Sequence, residues 1–389
     1  MAEPGSRVES PSSAEVAGEI MGAAGEEKLR VRMRGGGTKL SWGNPPSEPA
    51  DLEVSTERLD EVVEHNEGDL TAVLQAGVPL ARAQQQFAEA NQMIALDPWL
   101  GEDGEATIGG VIATADSGPL RHRYGAARDL ILGITFVLSD GTVAKAGSKV
   151  IKNVAGYDLA KLFTGSYGTL GLIVQVVMRL HPLAANQVTA LGASDDPDAV
   201  GRAASAVAHS PFGAEALDVA WAGGHGEVMA RFGGAAPEAT AQRVVEMLRD
   251  EGLEEARHTA DDEGLWERQR ERQRSTDGVV VKVSGLASEL PKVLRAAEAA
   301  RASLVGRAGQ GLSWISLPAQ DTGELVAAVE DLRRRLQPFP CVVLDTPSDV
   351  REKVDVWGEE GSAVPLMRRV KERFDPQNVC NPGIFVGGI

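Results

Sequence analysis

Residues 34–43 read RGGGTKLSWG, three consecutive glycines between an arginine and a threonine–lysine pair. A glycine run gives up packing and costs backbone entropy on folding. What it gains is access to positive φ and a backbone that can come very close to another object. An anionic ligand is the natural candidate, because successive amide N–H groups can converge on oxygen atoms as a nest. Two phosphate motifs fail on spacing. A Walker loop needs GxxxxGK[ST], and the chain has no Gly-Lys pair; a GxGxxG fingerprint counted from Gly35 meets Leu40 at its sixth position. Alone, the loop is equally well a plain turn.

It is not alone. A second segment, DPWLGEDGEATIGGVIATADSGPLRHRYGAARD (97–129), interleaves small residues with hydroxyls at Gly109, Gly110, Ala113, Thr114, Ala115, Ser117 and Gly118. A third, KNVAGYDLAKLFTGSYGTLGLI (152–173), is again small and turn-rich and enters an apolar run at its end. Three such segments offer amides and hydroxyls to a close ligand while packing little core of their own. They point to a large, elongated, phosphate-bearing ligand threaded through one domain.

With these three segments in this order, and FDPQNVCNPGIF (374–385) near the end, the chain resembles the FAD-binding domain of the vanillyl-alcohol oxidase/p-cresol methylhydroxylase superfamily. Within it the likeness is to the FAD-binding E subunits of bacterial glycolate oxidase, over roughly residues 10–182 and 365–386. The resemblance implies an α+β protein: a two-subdomain PCMH-type FAD domain at 1–184, an α+β cap at 185–360, and a C-terminal segment, 361–389, packing back on the FAD domain. It implies that Gly35, Gly36, Gly37 and Thr38, with Lys39 and Leu40, cradle the FAD pyrophosphate. Thr107, Ile108, Gly109, Gly110, Ala113, Thr114, Ser117 and Gly118 would line the pyrophosphate and flavin side, beside the turn Arg123, Tyr124 and Gly125. Gly168, Leu170, Gly171, Leu172 and Ile173 would lie along the adenine end through their backbone. Many relatives carry a flavin-linking histidine in the first loop; Thr38 stands there in this chain, so the expected FAD is non-covalent, with His122 the nearest alternative link. Tyr167 stands where glutamate is common among D-lactate dehydrogenase relatives.

The substrate chemistry is less legible. The hydroxy-acid dehydrogenases of this superfamily use a His-rich HGDGN-type motif late in the cap. The six histidines here, at 65, 122, 181, 209, 225 and 258, are dispersed without paired spacing. Gly223-Gly224-His225-Gly226 reads as a hairpin turn, His65 and His258 as exposed helix ends or loops, and His181 as a strand terminator before Pro182. Arg268, Arg270, Arg272 and Arg274 near Trp266, with Arg123, could pair with a carboxylate, but spacing by two spreads side chains around a helix. WERQRERQR (266–274) therefore reads as a solvated face, and no catalytic base or metal ligand is assigned.

The elements that must position the glycine segments follow from periodicity. Helix is expected at 13–24, 57–65 and from Pro79 to about Asn91, and strand at 29–34, 52–55, 71–75 and 171–180, with a hairpin across 130–145. Beyond residue 186, helices at 197–208, 236–251 and 287–303 alternate with strands at 216–221, 226–232, 278–284 and 312–316, which suggests a sheet with helices on one face. A last helix ends at Phe374.

Composition bounds the partners. At 389 residues the chain suits two domains. A net charge of −17 argues against nucleic acid. The longest apolar stretch, 170–178, is far too short to span a membrane, and the first residues show no secretory signal. Two cysteines, Cys341 and Cys380, cannot supply a four-cysteine cluster, so any iron–sulfur centre would sit on another chain. The expectation is a cytoplasmic FAD-binding subunit of a glycolate oxidase-type complex, acting on a small 2-hydroxy acid with a flavoprotein D subunit and an iron–sulfur F subunit, and reaching the inner face of the membrane only through them. A free-standing FAD-linked oxidoreductase and a non-catalytic assembly subunit stand as alternatives.

Overall fold

The computed structural model describes residues 7–149 and 156–389. They form two compact units, one of 7–117, 126–149, 156–183 and 359–389, the other of Gly118–Gly125 and Ala184–Gly358. Among the described residues no helix is long and apolar enough to cross a membrane.

The first unit contains strands β1 (Arg7–Glu9), β2 (Val31–Arg34), β3 (Leu52–Ser55), β4 (Val62–Asn66), β5 (Thr71–Gln75), β6 (Gln92–Met93), β7 (Ile131–Val137), β8 (Val143–Gly147), β9 (Leu172–Arg179) and β10 (His181–Pro182). A small parallel sheet, β1-β3-β2, and a five-stranded antiparallel sheet, β4-β5-β9-β7-β8, make its two layers. Central β9 is buried along its length except at Gln175 and Arg179, as expected of a strand paired on both edges and covered on its faces. The helix Ala14–Glu27 begins where the Ser13 hydroxyl accepts from the Val16 amide at 3.3 Å. Its Ala17, Met21 and Ala24 pack with Val31, Val54, Leu172, Val379 and Cys380 in one core.

The helix expected at 57–65 is not formed. Val62–Asn66 instead pairs antiparallel with β5, and His65 lies on this strand, its Nε2 3.0 Å from Gln92 Oε1 and its ring against Phe87. A local helical spacing was overridden by a ladder with a strand that follows it.

The second unit carries β11 (Gln187–Ser194), β12 (Ala216–Ala222), β13 (His225–Gly233), β14 (Glu254–Thr259), β15 (Val279–Ser284), β16 (Ser303–Arg307), β17 (Leu312–Leu317) and β18 (Cys341–Val343), ordered β14-β11-β13-β12-β16-β17-β15-β18 with every pairing antiparallel. Gly223 and Gly224 supply the positive φ of the tight β12–β13 turn, and His258 lies on β14 rather than on a loop. Helices Pro197–Ala208, Pro237–Asp250, Leu290–Ala299 and Thr322–Leu336 share one core with alternate residues of the sheet, among them Val219, Val228, Val281 and Ile315. The helix expected over 287–303 stops at Ala299, because Arg301 turns the chain through left-handed φ into β16. The arginine-rich stretch is also more than a solvated face. Within Glu263–Glu271 Trp266 and Gln269 are buried, the Trp266 indole donates to the Thr189 hydroxyl at 2.9 Å, and Arg274 pairs with Asp345 at 2.6 Å; Arg268 and Arg272 remain exposed.

The C-terminal segment completes the first unit. Helix Val364–Phe374 presents Lys371 to a buried knot, where its ammonium donates to Asp375 Oδ2 at 2.6 Å and to the carbonyls of Thr169 and Cys380, both at 2.9 Å. All three ammonium donors are thus used. Asp375 also accepts from the amides of Val379 and Cys380 at 3.1 and 2.8 Å. Burial works against the charged carboxylate, but the Lys371 charge and these donors outweigh it and hold Asp375 below its ordinary value.

Asp375→Asn leaves Lys371 buried without a counter-charge, and is expected to cost the first unit about 3–5 kcal/mol in urea unfolding at pH 7. A depressed folded-state value contributes stability that is present above the ordinary 3.8 and lost as pH falls through the folded value. The wild-type midpoint should therefore drop below pH 3.8 more steeply than that of D375N; parallel profiles would remove Asp375 as the titrating group.

Candidate functional site

The glycine loop leaves β2 at Arg34, whose guanidinium is held by the buried Glu53 at 2.6 Å. Its backbone then runs hard against 105–107. A Cβ at Gly35 would stand 2.2 Å from Thr107 Oγ1, and one at Gly36 would stand 1.8 Å from the Glu105 carbonyl oxygen. Gly37 turns the chain at φ +84°, and the Leu40 amide folds back toward its carbonyl at 3.5 Å. Among the described residues, the amides of Gly36 and Gly37 donate to no protein acceptor.

The second segment is fixed from below. The amides of Ile108 and Gly109 donate to the carbonyls of Val78 and Ala76 at 2.9 and 2.8 Å, and a Cβ at Gly109 would meet the Ala76 Cβ at 2.7 Å. Thr107 caps the short helix Ile108–Thr114, its hydroxyl accepting from the Gly110 amide at 3.2 Å. Ala115 ends that helix in the left-handed region, which leads to the buried Asp116. Asp116 Oδ1 accepts from the Ser117 amide at 2.9 Å, and Oδ2 lies 3.2 Å from Lys39 Nζ of the glycine loop.

The third segment closes on the second. The Gly165 and Tyr167 amides donate to the carbonyls of Ile112 and Ala113 at 2.9 and 2.8 Å. Tyr167 is a non-glycine residue at φ +56°, and its carbonyl accepts from Asn381 Nδ2 at 2.7 Å, while Asn381 Oδ1 accepts from the Met33 amide at 3.0 Å. Burial pushes the Tyr167 phenol well above its ordinary value, with the Asp116 carboxylate adding to the effect. The tail also meets the first loop, since the Ile384 carbonyl accepts from the Asn44 amide at 2.8 Å. Residues 152–155 of the third segment lie outside the described residues.

The fold therefore brings together Gly35–Leu40, Thr107–Gly110, Ala113, Thr114, Ser117 and Gly168 within the first unit. Leu170, Leu172 and Ile173 are buried packing residues, and a Cβ at Gly171 would meet the Val137 carbonyl oxygen at 2.6 Å, so this stretch has backbone rather than side chains to offer. Gly118, Arg123, Tyr124 and Gly125 belong to the second unit, a correction to the domain boundary expected from sequence. The reason is local bonding: Arg123 donates to the Gly213 carbonyl at 2.8 Å, and Gln310 donates to the Arg121 carbonyl at 2.9 Å. Burial raises the Tyr124 phenol, with Glu215 beside it, and lowers His122, which packs against Gly309. Sequence reasoning missed Asp116, Glu105 and Asn381. Asp116, the lone acid in TADSG, was the visible signal; the other two act through contacts distant in sequence. Among the described residues no group of three His, Cys, Asp or Glu side chains could hold a metal ion.

Residues 6–147 match the family model described as "FAD binding domain". The chain is 38% identical over 172 residues to D-lactate dehydrogenase of Archaeoglobus fulgidus, covering 44% of this chain and 38% of that protein. It is 34% identical over 157 residues to glycolate oxidase subunit GlcE of Escherichia coli, covering 40% and 43%. The matches thus span about two fifths of the length of these curated relatives. Among solved structures, alkyldihydroxyacetonephosphate synthase superposes with a TM-score of 0.70 over 96% of this chain and 76% of that chain at 18% identity, a likeness of fold. The chain accordingly carries an FAD-binding domain of the PCMH-type fold, homologous to those of glycolate oxidase subunits and D-lactate dehydrogenases.

Proposed function

We propose that this chain is the FAD-binding subunit of a glycolate oxidase-type assembly, taking part in oxidation of glycolate or a related 2-hydroxy acid to the 2-oxo acid. The observation that carries the reading is the nest at Gly35–Thr38. Its backbone has no room for a Cβ at Gly35 or Gly36, and its Gly36 and Gly37 amides have no protein acceptor among the described residues. Such a nest suits diphosphate oxygens. In this reading the amides of Gly35–Thr38 hold the diphosphate. Thr107, Gly109, Gly110, Ala113, Thr114 and Ser117 line its path, and the backbone of 168–173 lies along the adenine end. Bound FAD supplies a two-electron acceptor for the hydride lost from the hydroxyl-bearing carbon. Thr38 offers no ring nitrogen for a covalent link, so the flavin is held by contacts alone. The assignment rests on the first unit only.

The assembly is supported by the likeness to a glycolate oxidase subunit and by the cysteine inventory. Cys341 and Cys380 are free, buried thiols whose deprotonation is disfavoured first by that burial. Electrons in this reading pass to a flavoprotein D-type subunit and to an iron–sulfur F-type subunit.

The first test is the visible spectrum of the purified chain, followed by acid precipitation. A flavin spectrum released to the supernatant is expected; colour left in the pellet would mean a covalent link, and a chain that stays colourless with added FAD would remove the function. Glycolate-dependent dye reduction is expected only when the partner subunits are added, and turnover by the chain alone would end the proposed division of labour. Gly36→Ala pushes a methyl into the Glu105 carbonyl and is expected to weaken flavin binding at least about fivefold, since over-packing of this kind costs about 1–3 kcal/mol. Gly68→Ala, on an exposed turn where the nearest atom to a new Cβ is 3.7 Å away, should keep full flavin content.

A further inference from the structure

Lys39 stands in the phosphate loop and carries a positive charge, which makes it the obvious partner for a diphosphate. Its surroundings say otherwise. The ammonium lies 3.2 Å from Asp116 Oδ2 and 3.4 Å from Thr38 Oγ1, and 5.7 Å from the Trp42 ring centre, over its face. Both charged side chains are almost wholly buried, with 6% of Lys39 and 5% of Asp116 exposed. An ammonium has three N–H donors and no acceptor, and a carboxylate, a hydroxyl and a ring face together occupy three directions around it. The second Asp116 oxygen is held by the Ser117 amide at 2.9 Å, so the carboxylate is fixed on its own segment.

We infer that Lys39 is a positioning residue: it ties the first glycine segment to the second through the buried pair with Asp116, and leaves the diphosphate to uncharged backbone N–H groups. This rests on the flavin reading above. The physical consequence is specific. Removing Lys39 alone does two things at once: it frees the loop, and it leaves an uncompensated carboxylate buried beside the place an anion must enter. Removing both charges abolishes the second effect, and apolar side chains of similar size packed across the same gap keep the two segments joined, because a buried pair replaced in that way is often close to neutral. A lysine that met the diphosphate directly would not be replaceable in this way.

The test uses the full-length chain with its flavin removed, titrated with FAD and followed by quenching of flavin fluorescence, alongside thermal unfolding of the same flavin-free proteins. Lys39→Met is expected to weaken FAD about thirtyfold or more and to lower the unfolding midpoint, as loss of one partner of a buried pair does. In Lys39→Met/Asp116→Leu, FAD affinity should return to within about threefold of wild type and the midpoint should recover; with Asp116→Leu alone completing the cycle, the two substitutions are strongly non-additive. A double variant that binds FAD as weakly as Lys39→Met would overturn the inference and make Lys39 a diphosphate ligand. Additive midpoints in the flavin-free proteins would overturn it independently, by showing that the pair ties nothing together. A wild-type chain that fails to bind FAD while the flavin-free variants still show thermal coupling would instead sink the flavin reading, and this inference with it.

Discussion

The site depends on one steric constraint. The backbone at Gly35 and Gly36 lies so close to the Glu105 carbonyl and the Thr107 side chain that no Cβ fits between them. This contact brings a loop from the parallel sheet against a segment more than sixty residues further along the chain, and among the described residues the Gly36 and Gly37 amides donate to no protein acceptor. Side chains at these positions would separate the segments by the thickness of a methyl group, and the nest would lose its shape. Glycine accepts the entropic cost of the run because the geometry has no other solution.

Close approach alone does not hold three loops in register, and buried charge does the rest. Arg34–Glu53 anchors the loop where it leaves its strand, Lys39–Asp116 joins it to the second segment, and Lys371–Asp375 closes the tail over the third. Each is a pair whose separation would strand a charge in a poorly hydrated interior, so each tolerates little displacement. Tyr167 adds a fourth constraint of a different kind. Its left-handed backbone lets its amide reach Ala113 and its carbonyl reach Asn381, joining the second segment to the tail. Strain of about 1–3 kcal/mol at such a residue persists only where its surroundings over-determine it.

This division of labour explains the composition of the site. The glycine segments leave backbone amides without protein acceptors among the described residues at Gly36 and Gly37, whereas the charges of Lys39 and Asp116 in the same segments are buried against one another. A chain with net charge −17 can hold an anionic cofactor this way, since amide dipoles attract phosphate locally without a basic surface. The second unit uses the same economy in its own interior: Asp218 and Arg307, at paired positions on β12 and β16, are 2.6 Å apart and fully buried.

The sequence by itself determined the three glycine segments and most of the strands around them, because each is encoded by residues adjacent in the chain, and the FAD-binding fold followed from the family resemblance those segments carry. A glycine run, a proline-opened helix or an apolar alternation is a local signal. Tertiary structure alone decided what lay across sequence distance. It turned 62–66 from expected helix into an edge strand on β5, and buried Trp266 where a solvated face was expected. It moved 118–125 into the second unit through bonds from Arg123 and Gln310. It also chose the partner of Lys39. No spacing rule links that lysine to an aspartate so far along the chain; only the closure of one glycine loop on another brings the two charges within reach, and burial then makes the contact matter.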